Sequence, residues 1–105
     1  MKSYITQMCV SVDLDENNDN FRDTLLNCFI EIEKNDLLPR EIFLSSNTQK
    51  LLLSLCAKDG YFKLQDYTKG LEIAKYKIDD SIKYKRIILV SDNNQEKKLK
   101  LIASL

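Results

Sequence analysis

Three segments of this sequence hold residue types that could carry chemistry, and the first is an aspartate pair. Asp79 and Asp80 stand side by side and are followed by Ser81. Two carboxylates can act as general acid and base, or hold a metal ion together with Asp92. Asp-Asp-Ser is also ordinary turn chemistry, because these short side chains bond to nearby backbone groups. We therefore expect a turn here and no catalytic residue.

The second segment, DLDENNDNFRDT at residues 13–24, partly resembles an EF-hand calcium-binding loop. Side chains with a ligand oxygen occupy its first, third, fifth and seventh positions, as calcium binding requires. Asn18, however, replaces the glycine that permits the sharp turn, and Thr24 replaces the glutamate that binds calcium through both oxygens. We expect a solvated loop between a strand and a helix, with no metal site.

The third segment is a basic and aromatic cluster on two neighbouring predicted strands. Its members are Lys75, Tyr76, Lys77, Lys83, Tyr84, Lys85 and Arg86. Single-stranded nucleic acids bind to such surfaces, because bases stack on aromatic rings and phosphates pair with cations. The chain has a formal net charge of zero, which argues against a strong nucleic-acid binder. The cluster predicts a partner-binding surface; a solvated lysine-rich sheet face would have the same sequence.

The composition excludes several classes of enzyme. The chain has no histidine and only two glycines. Without histidine there is no Ser-His-Asp triad, no Cys-His nucleophile and no histidine-bound haem, and most zinc enzymes are excluded. Two glycines cannot form a glycine-rich phosphate-binding loop. We predict a protein that is not an enzyme and that uses no cofactor.

The three cysteines are predicted to be packing residues. Cys9, Cys28 and Cys56 form no C-x-x-C pair, and all three lie in hydrophobic patterns. An odd number of cysteines without a secretion signal indicates free, buried thiols in a reducing compartment.

Length and charge describe one small domain with a polar charge distribution. The chain has 105 residues, which suits a single domain over residues 1–105. Its longest strictly apolar run covers residues 87–90, whereas a membrane span needs about 20 apolar residues. We expect no membrane association and a cytoplasmic protein, or one in a host cytoplasm or virion. Residues 1–52 carry a net charge of −4 and residues 53–105 one of +4, which favours oriented contact with a charged partner or a second copy.

The first half of the chain predicts a strand, a helix, a strand and a helix. Alternation over residues 4–14 places Met8, Val10 and Val12 on one strand face. Asn20 can cap a helix that ends near residues 34–36, ahead of Pro39. The inward positions of that helix are Phe21, Leu25, Cys28, Phe29 and Ile32.

The second predicted helix follows a short buried strand at residues 42–44. Ser46 and Gln49 have the form of a capping box, and Gly60 can end the helix. The inward positions of this helix are Leu52, Leu55 and Cys56.

The second half of the chain predicts mainly strands. Residues 61–67 form a strand or an irregular arm, and two strands follow, separated by DSIK at residues 80–83. The later strand is apolar on both faces, which is typical of a central position. Residues 93–105 suggest a short amphipathic helix. We therefore predict an α+β fold with a mixed or antiparallel sheet of four or five strands and three helices.

Residues 38–92 resemble part of the major capsid proteins of tailed phages. The matching elements are Pro39 before EIFLS, a helix ending in LLLSLCAKDGYF, and the run KGLEIAKYKIDDSIKYKRIILVSD. Within the second, KDGY resembles a shortened K-D-x-x-G-x-Y turn; the third has a glycine-led strand, an aspartate-containing turn and a final apolar strand in that family's order. The resemblance implies an α+β assembly domain that packs against copies of itself without catalysis. The chain has no room for the long spine helix of those capsids, and no functional residue carries over.

We therefore expect a small non-enzymatic protein that acts through protein contact, with a partner protein or with itself. It would serve as a virion or mobile-element component, or as an inhibitor of a host protein. The alternative is a single-stranded nucleic-acid-binding module that uses the basic and aromatic residues 75–86.

Overall fold

The structure, a computed structural model, describes residues 5–14, 21–59, 62–67, 70–78 and 80–105. The predicted cap at Asn20, the predicted turn at Gly60 and most of the calcium-like loop lie outside these ranges. The elements are β1 (Gln7–Asp13), α1 (Phe21–Lys34), β2 (Leu38–Leu44), α2 (Ser46–Asp59), β3 (Phe62–Tyr67), β4 (Gly70–Ile78), β5 (Ser81–Ser91), a 3₁₀ helix (Asn93–Gln95) and β6 (Lys98–Ser104).

The molecule is a small α+β domain built on one mixed sheet. The described strands lie in the order β1-β6-β2-β5-β4-β3. Among the described strands, only β2 and β5 pair in parallel, and the other neighbours are antiparallel. The prediction of four or five strands and three helices is wrong, because the described residues form six strands and two α-helices.

The predicted C-terminal helix does not form, because most of its residues belong to the strand β6. Leu99, Leu101 and Ala103 are fully buried, while Lys98 is exposed and Lys100 is half-buried. This period of two is that of a strand. β6 lies between β1 and β2, so two neighbouring strands satisfy backbone groups that a helix would have satisfied internally.

The helix α1 has the predicted buried face. Its buried side chains are Phe21, Leu25, Cys28, Phe29 and Ile32, so this prediction is confirmed. The predicted end is also confirmed. Asn35 donates a side-chain hydrogen bond to the Glu31 carbonyl at 3.0 Å, and Asp36 has a φ of 58°. Asn and Asp tolerate this left-handed conformation better than most residues, so the pair ends the helix.

The helix α2 is capped one residue earlier than predicted. The Ser45 hydroxyl accepts a hydrogen bond from the Thr48 backbone N–H at 3.1 Å, and the two hydroxyls lie 3.0 Å apart. Ser46 is therefore the first helical residue, and the predicted capping box does not form. Gln49 instead accepts a hydrogen bond from the Ser91 hydroxyl at 3.3 Å, which joins α2 to β5.

The turn between β4 and β5 is tighter than predicted. Ile78 pairs with Ser81, so three of the four residues of the predicted DSIK loop, residues 81–83, belong to β5. Asp80 lies in the turn, and Asp79 lies outside the described residues. The central position predicted for β5 is confirmed, because β5 lies between β2 and β4.

Both helices pack on the same face of the sheet, here called the helix face. Side chains of α1 and α2 form one cluster with Ile42, Leu44, Ile87, Leu99 and Leu101. Successive side chains of a strand point to opposite faces, so the residues between these point away from the helices. The opposite side is called the open face, because no helix in the described part of the chain covers it.

Candidate functional site

The predicted basic cluster lies on the hairpin of β4 and β5. Lys75 pairs with Tyr84, Tyr76 with Lys83, and Lys77 with Ile82. A register shift between Ile73 and Lys75 marks a β-bulge in β4. A bulge inserts one residue and reverses the faces of the residues that follow it.

Because of this bulge, the cluster is divided between the two faces. Ile73 and Ile87 are paired and fully buried, which sets the helix face. Alternation from Ile87 places the Lys85 and Lys83 side chains on the helix face and the Arg86 side chain on the open face. Pairing across the hairpin places Lys75 and Lys77 on the open face. The described residues therefore do not present one continuous basic surface of the predicted composition.

Tyr76 belongs to the core, which corrects its assignment to a partner-binding surface. Its exposure is 0%, and its ring centroid lies 4.4 Å from that of Phe29. Its hydroxyl donates a hydrogen bond to Glu33 Oε1 at 2.9 Å. Burial and then this hydrogen bond raise the pKa of Tyr76 well above its usual range. The ring cannot stack on a base or a partner; the Tyr84 side chain lies outside the described part of the molecule.

Arg86 is bound to a buried carboxylate on the open face. Its Nε donates to Glu72 Oε2 at 2.7 Å, and Gln65 Nε2 donates to Glu72 Oε1 at 2.5 Å. The Glu72 side chain is 2% exposed and that of Arg86 is 71% exposed. The hydrogen bonds from Gln65 and Arg86 hold the pKa of Glu72 below its usual range. An ionised carboxylate with both oxygens occupied is a structural anchor for Arg86, not a general acid.

The open face carries an apolar stripe at its centre. The registers place Glu41 between Ile102 and Ile88. In the next row, Phe43 lies between Lys100 and Val90. All six side chains are half-buried.

The ammonium of Lys100 lies over one of these apolar side chains. Its Nζ is 4.6 Å from the Phe43 ring centroid, a cation–π arrangement. Sequence reasoning missed the β6 residues of this face because it placed them in a helix. The alternation of Leu99, Leu101 and Ala103 was the signal that could have revealed them.

The open face has an excess of positive charge. The registers and alternation place six cations and three carboxylates on it, a net charge of +3 for these nine side chains. The cations are Lys63, Lys75, Lys77, Arg86, Lys98 and Lys100, and the carboxylates are Asp13, Glu41 and Glu72. Lys63 and Lys75 are directly opposite each other on neighbouring strands.

The groove between β1 and α1 does not assemble a catalytic group among its described lining residues. A groove of about 400 Å³ between β1 and α1 is lined partly by Asp13, Cys28 and Glu31. Burial raises the pKa of the Cys28 thiol to about 11, so it is a poor nucleophile at neutral pH. Within the described ranges, no group of three or more Cys, Asp or Glu side chains could hold a metal ion. None of the described helices is long and apolar enough to cross a membrane.

The cysteines have three different environments, so the expectation of three buried thiols is wrong. Cys28 is buried, Cys56 is intermediate, and Cys9 is exposed. Cys9 is exposed because it lies on the edge strand β1, in the outward phase of a burial pattern that alternates along the strand.

Comparisons with protein-family models, curated proteins and solved structures found no match to this chain. The capsid resemblance therefore stays a prediction. The function must be argued from the two sheet faces.

Proposed function

We propose that this protein is a non-enzymatic contact protein that binds an acidic protein surface through the open face of its sheet. The observation that carries the proposal is the chemistry of that face. A central stripe of Phe43, Ile88, Val90 and Ile102 is surrounded by cations that outnumber the carboxylates.

The apolar stripe supplies the attraction that holds a complex together. Fully burying a side chain such as Ile or Phe contributes about 1.5–3 kcal/mol, and a half-buried one retains part of this. A partner that covers the stripe would gain that remainder. Phe43 and Ile88 lie on adjacent strands, so one partner element can cover both.

The surrounding cations supply orientation and speed. Opposite charges steer two proteins into contact and disfavour partners of the wrong sign. A second copy that docked open face to open face would bring two net charges of the same sign together. An acidic partner is therefore favoured over symmetric self-association through this face.

The nucleic-acid alternative has weaker support. Stacking needs accessible aromatic rings, and Tyr76 is fully buried. The Phe43 ring already has the Lys100 ammonium over it. Phosphate contacts by lysines alone would give binding that is unspecific and strongly dependent on salt.

The experiment compares two lysine pairs that differ in the face they occupy. The double variant Lys75→Glu with Lys77→Glu reverses two charges on the open face. The double variant Lys83→Glu with Lys85→Glu reverses two charges on the helix face of the same hairpin. The tagged wild type and both variants are used to capture proteins from nuclease-treated extract of the native source. The captured proteins are then quantified by mass spectrometry. Circular dichroism and thermal unfolding show that each variant is folded.

We expect the open-face pair to lose the partner by about tenfold and the helix-face pair to keep it, because one reversed ion pair at a complex interface changes affinity by several-fold. The identity of the partner then separates a virion component from an inhibitor of a host protein. Equal capture by all three proteins would contradict the proposal. Capture by the wild type from untreated extract that disappears in nuclease-treated extract would favour the nucleic-acid alternative.

A further inference from the structure

The strand β1 forms one edge of the sheet, away from the centre of the open face. In the described part of the chain, only β6 pairs with it. The strand is seven residues long, and Asp13 is its only charged residue. Natural proteins usually protect long edges with charges, prolines or bulges, because unpaired backbone groups recruit further strands.

The hydrogen-bond phase of β1 can be read from its two ends. The Leu14 N–H donates to the Lys97 carbonyl at 2.8 Å, and the Leu105 N–H donates to the Thr6 carbonyl at 3.3 Å. In an antiparallel pair, bonded and non-bonded positions alternate. The even-numbered residues of β1 therefore bond to β6. The backbone N–H and C=O groups of the odd-numbered ones point outward, namely Gln7, Cys9, Ser11 and Asp13.

A groove runs beside this edge on the helix face. It has a volume of about 400 Å³ and lies between β1 and α1. Val10, Val12 and Cys28 supply apolar lining, and its charged lining residues are Asp13 and Glu31. Strand addition uses such features together, since backbone bonds provide affinity and side-chain pockets provide specificity.

We propose that β1 and this groove receive an extended segment of a partner protein as an added strand. Its alternate basic side chains face the groove, where their aliphatic stems pack on Val10 and Val12 and their ammonium groups lie near Asp13 and Glu31. The apolar side chains between them lie on the opposite side of the added strand. Apart from Asp13, which ends β1 and also lines the groove, this site shares no charged side chain with the open face, so the proposal stands or falls independently of the proposed function.

A second copy of this chain fits the edge less well. Symmetric pairing of β1 with β1 would bring the α1 helices of both copies to one side of a continuous sheet. The Asp13 and Glu31 carboxylates of both copies would then line the junction, and like charges there are unfavourable. A basic segment places opposite charges at the same positions.

The first experiment measures binding of a labelled, capped seven-residue peptide of alternating valine and lysine, which matches β1 in length. Fluorescence anisotropy is recorded under reducing conditions. The matched probe alternates valine and glutamate. We expect saturable binding of the lysine peptide that weakens with salt, and a Kd for the glutamate peptide that is at least about tenfold higher. No binding of the lysine peptide, or equal binding of both, would overturn the proposal.

The second experiment separates strand addition from ordinary surface binding. Ser11→Pro removes an outward N–H and no bond to β6, which an edge strand tolerates. We expect a folded variant whose Kd for the lysine peptide is about tenfold higher. Val10→Pro is the matched control, since it removes an inward bond and lowers stability. A folded Ser11→Pro variant with unchanged affinity would overturn the proposal.

Amide hydrogen exchange on the unmodified protein gives a readout that needs no variant. We expect the peptide to slow exchange at Cys9 and Ser11, whereas Val10 and Val12 are already protected by β6. Absence of new protection at Cys9 and Ser11 would overturn strand addition. If protection of Cys9 and Ser11 rises with protein concentration in the absence of peptide, the edge binds a second copy of the chain. That result would overturn the assignment to a basic segment.

Discussion

The two faces of the sheet are made by the same strands but have different physical character. On β5, Ile87 is fully buried on the helix face, while its neighbour Ile88 is half-buried on the open face. On β4, Tyr76 packs in the core, while Lys75 and Lys77 face the other way. Alternation along a strand thus separates the residues that stabilise the fold from those available to a partner.

This difference predicts where substitutions matter. The helix face holds one continuous cluster of fully buried side chains, and removing atoms from such a cluster leaves a cavity. The open face retains solvent around its apolar residues, so truncation there leaves no cavity. Stability should therefore be sensitive to one face and binding to the other.

The largest effect is expected from a matched pair of phenylalanines. Phe29 is fully buried and packs against Phe62 and Tyr76, so Phe29→Ala should cost about 3–5 kcal/mol of unfolding free energy. Phe43 is half-buried under Lys100, so Phe43→Ala should cost about 1 kcal/mol. Urea unfolding followed by circular dichroism measures both, and similar losses would remove the distinction between the faces.

The next effect is a loss of stability in alkali that originates on the helix face. The Cys28 pKa is about 11 in the folded protein and about 8.5 in an unfolded chain. Between these values the unfolded chain has lost a proton that the folded protein keeps, so raising the pH favours unfolding. The slope is at most about 1.4 kcal/mol per pH unit for this group.

Tyr76 adds to this loss above about pH 10, its unfolded pKa, since its folded pKa is also raised. Unfolding free energies measured from pH 8 to 11 test both groups. Cys28→Ala should have a flatter slope between about pH 8.5 and 10 than the wild type. Parallel curves for the two proteins would contradict the burial of the thiol.

A smaller effect is expected in acid, and it originates on the open face. The lowered pKa of Glu72 means that its contribution is present above the unfolded value of about 4.3 and is lost as the pH falls through the folded value. Glu72→Gln lacks this contribution, so its stability should approach that of the wild type in acid. Arg86→Met should move the Glu72 titration to higher pH, measured by carboxyl NMR. An unchanged titration would show that Arg86 does not hold the carboxylate.

Local patterns predicted the elements whose bonds are local. The face of α1 followed from five apolar residues at helical spacing, and its end followed from Asn35 and Asp36. The strand β6 was mistaken for a helix because its backbone partners are in β1 and β2, far away along the chain. The prediction followed the helix-like composition of residues 93–105. It gave less weight to the alternation of Leu99, Leu101 and Ala103, which only pairing with those distant strands could stabilise.

The candidate surface was predicted only in part for a different reason. The cations of residues 75–86 do lie on neighbouring strands. Their division between the faces depends on the bulge between Ile73 and Lys75. The residue types near this bulge do not predict it. Without it, Tyr76 would share the face of Glu72, and the two lysines beside it would turn toward the helices.

The most direct test of the account is a lysine footprint of the complex with the captured partner. Acetic anhydride labels accessible lysines, and mass spectrometry compares labelling in the free and the bound protein. The account predicts that Lys63, Lys75, Lys77, Lys98 and Lys100 lose reactivity on binding, while Lys83 and Lys85 keep theirs. Protection of Lys83 and Lys85 with unchanged labelling of the open-face lysines would contradict the assignment of binding to the open face.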